Sequence, residues 1–166
     1  WEPQKEAEAV NAFADQGIDV IAEQVDSPIT IAETALKRGV WVIGKDVDIS
    51  DRAGKAWLTG VSWDWGPMMV DMVKEIDAGT WKPSHVRGDL ATGNAVLDAF
   101  GPDVPAAVQE SVTKLKDAIV AGDKAVFTGP IMKQDGTVIV PEGESMSLEQ
   151  IETMDFLVKG VVGSTG

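Results

Sequence analysis

An α/β fold, a parallel sheet flanked by helices, is predicted by three features of this sequence. Residues 4 to 44 alternate helical and strand patterns in the order helix, strand, helix, strand. The strand patterns Ile18-Asp19-Val20-Ile21-Ala22 and Val40-Trp41-Val42-Ile43-Gly44 are short, β-branched and mostly apolar, as strands buried in a parallel sheet are. The helix between them can carry the chain back across the sheet, the crossover that parallel neighbours require.

The first helix, Gln4 to Gln16, places Ala7, Val10, Phe13 and Ala14 at helical spacing after Pro3 and stops at Gly17. Ser27 and Pro28 form an N-cap and first-turn pair for a second helix through Ile29, Ala32, Ala35 and Leu36, closed by Lys37-Arg38-Gly39. Ala56 to Val61 reads as a third strand. Pro67 to Asp77 reads as a helix whose Met69, Met72, Val73 and Ile76 share one face, the pattern of a core-facing stripe.

Val108, Val112, Leu115 and Ile119 mark a helix from Pro105 to Ala121, stopped by Gly122-Asp123. Ala125 to Thr128 and Thr137 to Val140 are expected strands flanking an Asp135-Gly136 turn. Ser147 to Gln150 matches a capping box ahead of a last helix with Ile151, Met154 and Leu157. The Pro- and Gly-containing stretches at Phe100 to Pro105 and Gly129-Pro130 are the places where the chain would pass between lobes.

Composition narrows the chemistry. The 166 residues carry 27 acidic against 14 basic side chains, a formal charge of −13, spread along the chain without one acidic block. Nucleic acid is a poor partner for such a surface. No stretch approaches the roughly 20 apolar residues of a spanning helix. The absence of cysteine removes thiolate catalysis and cysteine-ligated zinc, and a single histidine removes His-rich metal sites. No cofactor is expected.

In an open parallel sheet, ligands gather beyond the carboxyl ends of the strands, where loops converge and helix N-termini offer free N–H groups. Two polar loops follow such ends: Glu23 to Pro28, with Asp26 and Ser27, and Lys45 to Asp48, with Asp46 and Asp48. Neighbouring strands would bring these four residues to one pocket. Trp63-Asp64-Trp65 adds two indoles in a polar loop just after the third strand, and flat aromatics beside carboxylates suit a flat heterocycle or a sugar ring. The plain alternative is that Ser27 only caps its helix and the aspartates are solvated turn residues.

The order of segments resembles the basic membrane protein family of solute-binding proteins. The resemblance rests on W-E-P-Q-K-E-A-E-A at Trp1 to Ala9, Q-G-I-D-V-I-A at Gln16 to Ala22, D-S-P at Asp26 to Pro28 and G-x-x-x-I-G-x-D-x-D from Gly39 to Asp48. It continues through W-L-T-G, the W-G-P of Trp65 to Pro67, D-A-G-T-W, F-T-G-P-I at Phe127 to Ile131 and M-D-F-L-V-K-G-V-V-G.

It implies a type I periplasmic-binding-protein-like fold, with one lobe complete and part of the second: residues 1–100 the C-terminal ligand-binding lobe, and residues 101–166 the crossover segment and part of the other lobe. The chain opens at Trp1 on a helix without a leading strand, so the N-terminal lobe is expected to be missing from these residues.

The resemblance also implies an extracytoplasmic component of an ABC importer, periplasmic or at the cell surface and lipid-anchored in some full-length forms. Such a component holds a purine base or purine nucleoside between two lobes and delivers it to a membrane permease. It carries the family's pocket residues onto Asp26, Ser27 and Asp46, with Asp48 beside it, and onto Trp65; Trp63 stands where many nucleoside binders have Lys, a departure that favours a base without its sugar. Trp1 stands where the family often has an aromatic before Asp-Pro.

Two other classes compete with this non-enzymatic reading. A hydrolase-like α/β domain would use Asp26, Asp46 and Asp48 as acid, base or cation ligands, but no nucleophile with a base beside it accompanies them. A ligand-sensing domain of the same fold would couple the same pocket to a regulator.

Overall fold

The computed structural model of the protein describes residues 2–165, so Trp1 lies outside the described residues. The chain divides into two compact units, the first ending at Lys116 and the second beginning at Asp117. The helix α5 (Ala106–Val120) contains the boundary.

In the first unit α1 (Pro3–Asp15), β1 (Val20–Ala22), α2 (Pro28–Arg38) and β2 (Trp41–Asp46) follow one another as the alternation predicts. A short helix α3 (Ser50–Ala53) and a 3₁₀ turn lead into β3 (Trp57–Trp63), then α4 (Gly66–Asp77) and β4 (Ala95–Leu97). The sheet order is β1-β2-β3-β4; β1, β2 and β3 run parallel and β4 is antiparallel to β3. Gly39 ends α2 in the left-handed conformation that a Cβ-free residue adopts at low cost (φ 69°), where its N–H caps the helix on the Ala35 and Leu36 carbonyls.

The core lies on one face of this sheet. Val10 of α1, Ile31 and Ala35 of α2, and Val40 and Val42 of the β2 region form one buried cluster; Ala32, Ile49, Ala53 and Trp57 form a second. α1 and α2 therefore cover the same face. On the other face the strand residues reach only partial burial, with Val20 and Val61 exposed, so the expectation of strands covered on both sides is corrected for these residues.

Trp57 anchors the second cluster. Its ring lies against the α-carbons of Gly44 and Gly60, where a β-carbon would collide with the indole, and its Nε1 donates to the Ala99 carbonyl at 3.0 Å. The glycines of these two strands are there for close packing of an aromatic ring.

Three expectations need correction here. The Met69, Val73 and Ile76 stripe is exposed, at 53%, 56% and 59%, and α4 contains no buried residue. An apolar period identifies a face suited to burial; it does not supply the element that buries it. The β3 strand runs to Trp63, so Trp63 sits on the sheet and only Asp64 and Trp65 belong to the turn beyond it.

The third correction falls in the second unit, where the arm that pairs across Asp135-Gly136 is β5 (Ile131–Met132), not Ala125 to Thr128. It meets β6 (Val138–Val140) antiparallel. Asp135 Oδ1 takes the Thr137 N–H at 2.9 Å, and Gly136 adopts φ 89°, which settles the turn. Thr128 makes only an isolated bridge to Ser145. The capping box before α6 (Leu148–Glu152) forms as read, with Ser147 and Gln150 bonding reciprocally.

Candidate functional site

The carboxyl ends of β2 and β3 are adjacent in register, with Asp46 paired to Ser62. At this edge the sequence supplies Lys45 and Asp46 from one strand and Trp63, Asp64 and Trp65 from the next. Asp46 Oδ1 accepts two donors, Lys45 Nζ at 2.6 Å and Trp63 Nε1 at 2.7 Å. The Lys45 ammonium also lies 5.9 Å from the centre of the Trp63 ring, within cation–π range. Trp65 stands at the N-cap of α4, half exposed, its ring centre 6.2 Å from that of Trp63 and tilted by 41°.

The backbone supports this corner in a costly conformation. Asp46 has φ 72°, the single non-glycine residue in the left-handed region among the described residues. Such positions persist where the surroundings hold them and concentrate at functional sites. The Lys45 ammonium first, and then the Trp63 indole, holds the Asp46 carboxyl below its ordinary range, so the group is ionised and pre-oriented at neutral pH.

The β1 loop reaches the same edge through a residue that spacing did not single out. Glu23 is buried at 6% exposure; its Oε1 accepts the Lys45 N–H at 2.8 Å and its Oε2 the Val25 N–H at 3.3 Å. Burial raises its carboxyl above the ordinary value, against the pull of those two N–H groups. The signal available in the sequence was one acid directly after a parallel strand, which is weak because most such acids are solvated.

The remaining candidates part company. Ser27 occupies the N-cap of α2, but its hydroxyl makes no capping bond; Oγ is buried and without a partner. Asp26 beside it is exposed. Asp48 turns its carboxylate into its own loop, accepting the Ser50 N–H at 2.8 Å. Asp46, Trp63 and Trp65 are thus brought together, while Ser27 and Asp48 have other local environments. Among the described residues no group of three or more His, Asp or Glu side chains is placed to hold a metal ion.

Just after β4, beside Gly60 and Ser62, Asp98 is buried at 7% exposure. Its Oδ1 takes the Ser62 hydroxyl at 2.5 Å while Oδ2 has no partner, and burial raises its carboxyl above the ordinary range. Asn94 completes the turn after Trp63 by bonding Asp64 from both its carbonyl and its side chain. On the far side of that turn a cleft of about 310 Å³ opens between α4 and residues 84 to 94, lined by Met68, Met72, Asp71 and Arg87 among others.

Comparison with known proteins bears on the chain as a whole. A purine-binding protein of Brucella abortus is 34% identical over 161 residues, 97% of this chain and 45% of that protein. A protein of Haloferax volcanii named for ABC-transporter glucose binding is 29% identical over 163 residues, 98% of this chain and 39% of its own length. No protein-family model matches the sequence.

Among solved structures, a transcriptional activator of the comK gene from Bacillus halodurans aligns with a TM-score of 0.67 at 21% identity, over 75% of this chain and 44% of that one. An ABC-transporter solute-binding protein of Conexibacter woesei aligns with a TM-score of 0.57 at 24% identity, over 76% and 43%. Both likenesses bear on the fold alone.

The chain spans less than half the length of the curated relatives it matches, and, with similarity running along 97% of its residues, it belongs to the basic-membrane-protein type of solute-binding proteins.

Proposed function

We propose that this chain forms one wall of the ligand site in the extracytoplasmic solute-binding component of an ABC importer. That component takes a purine base or purine nucleoside between two lobes and passes it to the permease. The observation that carries the reading is the Asp46, Trp63, Trp65 corner: an ionised carboxylate oriented by an indole N–H, beside a second, half-exposed indole. A carboxylate acceptor suits the N–H edge of a purine, and an exposed indole offers a stacking surface for its plane. The name of the Brucella relative supports a purine.

Asp26, Ser27, Asp48 and Trp1 belong to the proposed pocket as well. In this reading residues 1–100 supply the C-terminal lobe, and residues 101–166 the crossover and part of the other lobe. The corner is built for binding: its carboxylate is held ionised by Lys45 and Trp63, the opposite of a proton donor's environment.

A sugar is the second ligand to test, because the Haloferax relative is named for glucose and an indole face also accepts a pyranose ring. Calorimetric titration of the full-length protein against adenine, guanine, hypoxanthine, xanthine, adenosine, guanosine and glucose separates the two. Micromolar or tighter binding of one purine, lost in Trp65→Ala and Asp46→Ala, is the expected result; glucose binding without purine binding overturns the purine assignment.

A further inference from the structure

The same Glu23 carboxylate takes the backbone N–H of the residue immediately before each of two candidate aspartates: Val25, which precedes Asp26, and Lys45, which precedes Asp46. Val25 lies in the loop after β1 and Lys45 at the end of β2 itself, and Glu23 is joined to β2 also through its own N–H on the Ile43 carbonyl at 3.1 Å. We propose that Glu23 is the positioning residue of the ligand site, a buried strut that fixes the loop after β1 against the end of β2 and sets the left-handed Asp46 at the position where it meets ligand.

The chemistry requires an acid here. A carboxylate is acceptor-only and can take an N–H on each oxygen, whereas glutamine would turn its own NH₂ toward one of the two N–H groups. Burying a charged group is costly, and a site retains one where hydrogen bonds from fixed dipoles compensate for the lost water. Asp46 gains from this arrangement because its φ of 72° is an unfavoured conformation that a loose strand end would relax. The proposal rests on the ligand reading of Asp46 and deepens it.

The test uses the full-length protein with ¹⁵N-labelled indoles, the Trp63 signal being assigned by its loss in Trp63→Phe. In Glu23→Gln, without ligand, hydrogen-exchange protection of the Trp63 indole N–H should fall while the other indole signals stay in place. Affinity for the purine identified by titration should fall roughly tenfold, the scale of one charge-assisted bond lost. Glu23→Asp, which keeps the charge but shortens the reach, should lie between, and it provides the readout if Glu23→Gln does not fold.

Ile31→Val, which loosens the core without touching the strut, controls for general destabilisation and should leave the Trp63 signal unchanged relative to the other indoles. An unchanged Trp63 signal in a folded Glu23→Gln overturns the positioning role even if purine binds. A selective Trp63 change with no purine bound by the wild type upholds the strut and defeats the purine reading instead.

Discussion

Asp46 and Trp63 are joined across neighbouring strands by a hydrogen bond of 2.7 Å from the indole to a carboxylate oxygen that Lys45 shares. Trp63→Phe keeps a flat ring and deletes the donor. The Asp46 carboxyl should then titrate closer to its ordinary value of 3.8 but stay below it, because the Lys45 bond is the larger cause of its depression and survives. A carboxyl-detected NMR titration of both proteins checks this, and identical titration midpoints would count against the bond.

Acid should open the corner. A depressed folded-state carboxyl contributes stability that is complete above its unfolded value and is lost as pH falls through the folded one, so the window for Asp46 lies below 3.8. Asp98 has the opposite sign: its carboxyl is raised by burial, so its contribution is complete below 3.8 and is lost as pH rises through its raised value. Asp98→Asn keeps an acceptor for the Ser62 hydroxyl and cannot ionise. Its unfolding free energy, measured by urea at several pH values, should match the wild type at low pH and exceed it at neutral pH. A constant difference across that range would show that Asp98 does not titrate on unfolding.

The helix, strand, helix, strand opening was legible because its apolar residues keep strict periods and its ends carry Pro3, Gly17, Pro28 and Gly39 as punctuation. The loop carrying Asp26 and the strand end carrying Asp46 could be placed for the same reason. What spacing could not reach was side-chain direction. Asp46 and Asp48 are two residues apart, yet one engages an indole on the next strand and the other its own backbone.

Ser27 has the residue type of an N-cap but buries its hydroxyl without capping. Glu23 was hidden because its value lies in two backbone N–H groups, which no side-chain pattern records. The α4 stripe misled because its period says nothing about what covers it.

Trp57 and Gly44 should show strong coupling. Trp57→Ala removes a ring that is 1% exposed and should cost about 3–5 kcal/mol. Gly44→Ala alone drives a methyl into that ring and should cost about 1–3 kcal/mol. In the double variant the methyl meets the space the indole has left, so the sum of the single losses should exceed the double loss by at least about 1 kcal/mol. Urea unfolding of the four proteins gives the cycle; simple additivity would mean that the ring is not seated on Gly44.

The left-handed backbone of Asp46 allows fold and ligand roles to be separated at one position. Asp46→Gly removes the carboxylate but relieves a conformation with φ 72° that glycine adopts freely. Its thermal midpoint should therefore stay within about 3 °C of the wild type, because the bonds it loses are exposed ones. Asp46→Val removes the same carboxylate and adds a branched Cβ to that backbone, and should lower the midpoint by roughly 2–8 °C. Both should lose purine affinity alike if the carboxylate is the ligand contact, since neither retains it. Differential scanning calorimetry and titration on the two proteins form the check. Retained purine affinity in Asp46→Gly would move the contact to another residue of the corner, and an equal midpoint loss in both variants would mean that the backbone at this position is not strained.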